Sequence, residues 1–164
     1  LAQARGANKI ILSEPQPIRR ALAAEVGVTR AVDPMNEDLP AVIAAETNGD
    51  GADVAFEAVG LAVTSEACIK GIRPGGTAVL MGVPKPGTTL EISPWEIVSQ
   101  ERLIKSSWLL VDNMESCLRM MPRLDLDKIA THTIPLAEAN EGIRMCKAGE
   151  AVKVLFEIGG ENPA

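Results

Sequence analysis

Glu14 follows a short apolar run, Lys9 to Leu12 and then Ser13, and stands immediately before Pro15. An acidic side chain at the end of the second strand of a dinucleotide-binding sheet accepts hydrogen bonds from both hydroxyls of the adenosine ribose. Its charge also repels the 2′-phosphate of NADP. The same residue type suits a solvated carboxylate ahead of a proline turn. Arg19, five residues on, can cover the ribose edge or a phosphate, or can be an ordinary exposed helix arginine; with Arg20 beside it, NADP keeps some room. Gly60 in FEAVG and Gly82 in LMGVP lie at the carboxyl ends of two further expected strands. Ligands of open α/β sheets bind along that edge, where a side chain would block close approach of the backbone. Each glycine could instead serve only a tight turn.

The rest of the inventory offers no evident catalytic group. His132 is the only histidine and has no partner at ligand spacing, which fits a structural or surface histidine better than a zinc ligand. There is no G-x-S-x-G elbow. Cys68, Cys117 and Cys146 are odd in number and widely spaced, the usage of a reduced, cytoplasmic protein whose cysteines pack rather than pair or bind metal. From residue types alone, the chain can help to hold a dinucleotide; catalytic residues and metal ligands are expected to be absent from it.

The elements that must position these groups alternate short apolar runs with helical patterns, the signature of βαβ units and a parallel sheet. Lys9 to Leu12 reads as a strand. Ile18, Leu22 and Val26 then share one helix face, closed by Gly27. A short strand at Ala31-Val32 ends at Asp33-Pro34, and Leu39 to Glu46 reads as a helix. Asp53 to Phe56 is expected as a buried strand, Thr64 to Ile72 as a helix stopped by Pro74-Gly75-Gly76, and TAVLMGVP as a strand covered on both faces. Ser93-Pro94-Trp95-Glu96 has the pattern of a capping box with proline at the first helical position. Leu103 to Leu110 includes the last sheet strand. A helix over Asp112 to Met121, a helix-like LAEANEGIRMCKAG and a closing strand VKVLFEI complete the reading.

The 164 residues suffice for one domain with a real core, and their apolar stretches are far too short to span a bilayer. A net charge of -6 argues against nucleic acid or an anionic membrane as partner. The G-x-G-x-x-G turn that seats a pyrophosphate on a helix N-terminus does not occur upstream of Lys9. The fold expected is therefore a Rossmann-type doubly wound parallel α/β sheet, incomplete because the first strand and its glycine-rich turn are missing.

Six segments occur in the order typical of medium-chain, zinc-type alcohol dehydrogenases: ARGANKIILSEPQPIRRALAAEVGVTRAVDP, GADVAFEAVG, GIRPGGTAVLMGVP, EIVSQERLIKSS, THTIPLAEANEGI and GEAVKVLFEI. The chain resembles the group containing butanediol, sorbitol and threonine dehydrogenases, over essentially its whole length. The resemblance implies a sheet of strand order 3-2-1-4-5-6, with residues 1–110 as a partial dinucleotide-binding domain and 111–164 as a segment returning to the catalytic domain. It puts Glu14 in the ribose-binding place and Arg19 in that of the nearby basic residue. Val59 and Gly60 would lie along the adenosine side, while Met81, Gly82 and Val83 would line the nicotinamide. Ser107 and Leu109 would grip the carboxamide through their backbones, although this chain has KSSWLL where the family often has a glycine. Lys153 would reach the pyrophosphate.

The implied activity is hydride transfer between a secondary alcohol or polyol and NAD, in a parent enzyme whose zinc ligands lie outside this chain. NAD is favoured over NADP by Glu14. A zinc-free quinone or enoyl reductase of the same superfamily and a non-catalytic nucleotide-binding fragment stand as alternatives. The parent is expected to be a cytoplasmic homo-oligomer, dimer or tetramer, acting on a small alcohol or ketone without nucleic acid or membrane. The chain alone is expected to be inactive and poorly stable, because loss of the central strand leaves a two-strand and a three-strand piece with bare edges.

Overall fold

The computed structural model describes residues 1–108 and 114–159. The chain forms two compact units, one of Leu1–Glu37 with Asn113–Ala164 and the other of Asp38–Asp112. The first unit opens with β1 (Ile11–Ser13), α1 (Pro17–Glu25) and β2 (Arg30–Val32). β1 and β2 pair in parallel, Leu12 opposite Ala31. Pro17 begins α1, where its missing N–H has no helical partner to lose. Gly27, at φ +90°, lets the chain leave the helix and turn back toward β2. The Glu14 N–H donates to the Val32 carbonyl at 3.1 Å, so the ladder continues one residue past β1. Glu14 is thereby fixed at the carboxyl edge by its own backbone.

The second unit runs through α2 (Leu39–Glu46), β3 (Ala52–Glu57), α3 (Ala62–Lys70), β4 (Ile72–Leu80), α4 (Pro94–Ser99) and β5 (Leu103–Ser106). The sheet order is β3-β4-β5, parallel throughout. Asp38 caps α2 by accepting the Ala41 N–H at 3.2 Å. Cys68, Ile69, Ile72 and Ala78 form the core, with Ala55, Leu80, Leu90 and Ile92 packed on it. Burial pushes the Cys68 thiol up, against a hydrogen bond at Val79 that lowers it, which keeps it protonated and inert.

Three expectations for this unit need correction. Asp53 to Phe56 is not buried on both faces: Ala55 meets the core, but Val54 is 48% and Phe56 60% exposed on the opposite face. Among the described residues β3 is an edge strand, and α3 packs against it. Ile72 belongs to β4 rather than to the preceding helix, and Arg73–Gly76 is accommodated where the register shifts between Ala52 and Val54. Ser93 makes no side-chain capping bond, although Pro94 does open α4.

The remainder of the first unit comprises α5 (Met114–Met120), a 3-10 turn at Met121–Arg123, α6 (Leu126–Ile129), β6 (His132–Pro135), α7 (Ala139–Ala148) and β7 (Val154–Glu157). β6 and β7 pair in parallel, which the sequence did not signal for β6. Gly142 of α7 is buried against Phe156, Ile134 and Val154. No helix among the described residues is long and apolar enough to cross a membrane.

Candidate functional site

The carboxyl ends of β3 and β4 converge on one buried carboxylate. Glu57, the last residue of β3, is 3% exposed. Its Oε1 accepts from the Val59 N–H at 2.8 Å, the Gly60 N–H at 2.8 Å and the Thr64 hydroxyl at 2.7 Å. The Glu57 carbonyl accepts the N–H groups of Met81 at 2.8 Å and Gly82 at 3.0 Å. One residue therefore ties the turn after β3 to the turn after β4. Burial pushes the Glu57 carboxyl up, but the Thr64 hydroxyl and the amides of Gly60, Val59 and Gly82 together hold it below the ordinary glutamate value. Its Oε2 is buried and has no hydrogen-bond partner among the described residues. The Gly82 N–H, committed to the Glu57 carbonyl, adds to the field around that oxygen without bonding it.

Gly60 and Gly82 make this junction possible. Gly60 has φ +87°, and a Cβ on it would lie 2.5 Å from the Val83 carbonyl oxygen. A Cβ on Gly82 would overlap the Gly60 nitrogen and stand 2.5 Å from Glu57 Oε2. Both glycines thus serve the close approach of two protein backbones. Beyond them, Met81, Val83, Ser107 and Trp108 line a shallow cavity of about 160 Å³. The Ser107 N–H donates to Leu80 at 3.0 Å, which continues the β4–β5 ladder to the cavity edge. Met81, Val83 and Trp108 are exposed there, Trp108 by 58%, and Val59 is exposed in the turn after β3.

In the first unit, Glu14 has one carboxylate oxygen turned inward and one available. Oε1 accepts the Gln16 N–H at 2.8 Å. Oε2 faces the Arg19 guanidinium at 3.7 Å, too far for a hydrogen bond, so it can still accept one from a hydroxyl. Arg19 is more exposed than Glu14 and lies over it. Lys153 is exposed just before β7, its carbonyl accepting the N–H groups of Thr131 and His132. His132 Nδ1 lies 3.0 Å from the Thr131 hydroxyl, which also accepts the Val152 N–H, a packing role.

The residues singled out from the sequence therefore fall into two sets. Glu14, Arg19 and Lys153 belong to the first unit; Val59, Gly60, Met81, Gly82, Val83 and Ser107 gather at one edge of the second. Leu109 lies outside the described residues. Glu57 and Trp108 were not anticipated. The signal for Glu57 was present: an acidic residue ending a strand, two and three residues before the turn amides it binds, with a threonine in the first turn of the next helix. Among the described residues, no group of three or more His, Cys, Asp or Glu could hold a metal ion. These residues do not fit a zinc.

A model of the zinc-binding dehydrogenase family matches residues 1–125. L-threonine 3-dehydrogenase from Caldanaerobacter subterraneus is 30% identical over 163 residues, which cover 95% of this chain and 46% of that protein. Among solved structures, 2R,3R-butanediol dehydrogenase from Bacillus subtilis superposes with a TM-score of 0.83 at 32% identity, covering 96% of this chain and 46% of that one. A zinc-binding dehydrogenase from Sinorhizobium meliloti bound to NADP gives 0.84 at 32% identity, with 93% and 46% covered. The chain spans about half the length of the relatives it matches. With parallel α/β units, strand ends locked at Glu57 and a family match over three quarters of its residues, the chain belongs to the zinc-binding dehydrogenase family.

Proposed function

We propose that this chain is the coenzyme-binding part of an NAD-dependent, zinc-type alcohol or polyol dehydrogenase. The observation that carries the reading is Glu14, held by its backbone at the carboxyl edge of β1 with Oε2 available to a ribose hydroxyl. When bound, NAD supplies the hydride acceptor. Glu14 then selects the ribose, with Arg19 over it, and Lys153 serves the pyrophosphate. Val59 and Gly60 flank the adenosine side. Met81, Gly82 and Val83 give an apolar wall for the nicotinamide, and the backbones of Ser107 and Leu109 orient its carboxamide.

Residues 1–110 form the coenzyme part in this reading, and 111–164 return toward a catalytic part. The named dehydrogenase relatives favour it over a quinone or enoyl reductase. The substrate is a small alcohol or ketone, and the protein is a cytoplasmic homo-oligomer. The NADP in the Sinorhizobium structure keeps coenzyme choice a matter for direct test.

Trp108, in the cavity, is one of two tryptophans. In the natural full-length protein carrying Trp95→Phe, NADH binding should quench Trp108 emission by energy transfer to the reduced nicotinamide. Saturable quenching by NADH, with NADPH at least tenfold weaker and with the Trp108→Phe variant losing part of the signal, is the expected result. Equal affinity for both would overturn the preference for NAD, and no quenching by either would overturn the coenzyme assignment.

A further inference from the structure

Arg20 lies one residue beyond Arg19 but faces the protein. Its Nη1 donates to two backbone carbonyls, Glu14 at 2.8 Å and Pro15 at 2.6 Å. Its Nη2 pairs with Asp33 Oδ2 at 2.9 Å, and both side chains are four-fifths buried. Asp33, just past β2, is held in turn by the Asn36 amide at 3.0 Å and the Met35 N–H at 3.1 Å. The Asp33 N–H donates to Glu37 Oε1 at 2.8 Å, and Glu37 pairs with Arg30 of β2. An unbroken polar chain thus runs from the turn after β1 to the turn after β2. It reaches Glu14 through its carbonyl and engages neither oxygen of its carboxylate.

We propose that Arg20 and Asp33 are positioning residues for coenzyme recognition, clamping the Glu14-Pro15 turn so that the Glu14 carboxylate is preset for a ribose diol. The inference rests on the assignment of Glu14 above. Two carbonyls and a carboxylate converge on one planar guanidinium, a geometry that a lysine ammonium cannot match. Both N–H groups of Nη1 are engaged, so the end-on fork that an arginine offers a phosphate is not open at Arg20. Of the two arginines, Arg19 is the one open to a 2′-phosphate. Without the clamp the turn carrying Glu14 would sample other geometries, and binding would lose the benefit of a preset acceptor.

The test uses the natural full-length protein and the dissociation constants of NADH and of reduced nicotinamide mononucleotide, which has no adenosine ribose. Arg20→Gln should weaken NADH about tenfold, a difference of about 1.4 kcal/mol. It should leave the mononucleotide within twofold of wild type. Arg20→Lys, able to keep only part of the clamp, should fall between. In an Glu14→Ala background the Arg20→Gln change should add less than twofold, because Arg20 acts through Glu14. Equal weakening of both ligands, additive effects of the two substitutions, or unchanged NADH binding would each overturn the clamp. Should wild type bind neither NADH nor NADPH, the Glu14 assignment itself fails, a distinct outcome.

Discussion

Replacing Glu57 with glutamine keeps the shape of the side chain and removes its charge. Three donors converge on Oε1, from Val59, Gly60 and Thr64. Hydrogen bonds to a charged acceptor contribute roughly 1 kcal/mol more than those to a neutral one, so about 3 kcal/mol is lost in total. The new NH2 group occupies the position of Oε2, which is buried and has no hydrogen-bond partner among the described residues. Leaving that donor unsatisfied costs about 1 kcal/mol or more. Relief from burying a charge returns part of the sum, leaving about 2 to 3 kcal/mol against the variant. Local opening of the turn after β3 should become easier by about 30- to 150-fold. Amide hydrogen exchange of the natural full-length protein, followed in a peptide spanning 58–66, reads this directly. Protection within threefold of wild type would refute the reasoning. Acid gives a second readout. The folded carboxyl titrates below its unfolded value, so its stabilisation is present above the unfolded pKa and disappears as pH falls through the folded one. Wild-type protection in 58–66, corrected for intrinsic exchange, should therefore decline below the ordinary glutamate range, whereas Glu57→Gln should lack that component.

Gly82→Ala should destabilise the natural protein by about 2 to 3 kcal/mol in urea unfolding, because the atoms its Cβ would meet are backbone nitrogens of Gly60 and Val59 with little freedom to move. A midpoint equal to wild type would mean that the two strand ends can part. Gly142→Val should cost roughly 1 to 3 kcal/mol by overpacking, since a Cβ there already stands 2.9 Å from Phe156 and 3.0 Å from Ile134 and Val154. A neutral Gly142→Val would show that α7 can lift from β6 and β7 without penalty.

The strands that were legible in the sequence are those in which apolar or β-branched residues run together: Ile11-Leu12, Val54 to Phe56, Ala78 to Leu80. β6 was not, because His132 to Pro135 mixes polar residues with a terminal proline and gains its strand form only by pairing with β7. The pattern at Ser93 promised a cap that tertiary structure does not use. Sequence position leaves Gly60 and Gly82 open to a ligand or to a tight turn; their contacts are with protein backbone, a fact that depends on two strands distant in sequence. The clamp was invisible for the same reason: Asp33-Pro34 reads as a turn, and nothing in Arg20 alone says that it faces Asp33 while its neighbour Arg19 faces Glu14.

Periodicity says that a strand has two faces without saying what covers each, and β3 turns that ambiguity into a measurable one. Ala55 and Glu57 point into the unit, whereas Val54 and Phe56 stand on the other face. Among the described residues β3 has β4 on one side and no strand on the other. An edge that is both apolar and unpaired recruits another strand, from whatever chain offers one. The 164-residue polypeptide produced alone should accordingly self-associate at micromolar concentration, and Phe56→Lys should return it toward monomer, since pairing would bury a charge. In the natural full-length protein the same substitution should act in the opposite direction. Relatives are about twice as long as this chain, and cover over Phe56 would make its loss cost about 2 kcal/mol, with a further penalty for the buried ammonium. Light scattering of the short chain and thermal unfolding of the long one decide the matter together. A Phe56→Lys change that is harmless in both contexts would mean that this face is meant for solvent, and the apolar pattern of β3 would then need another cause.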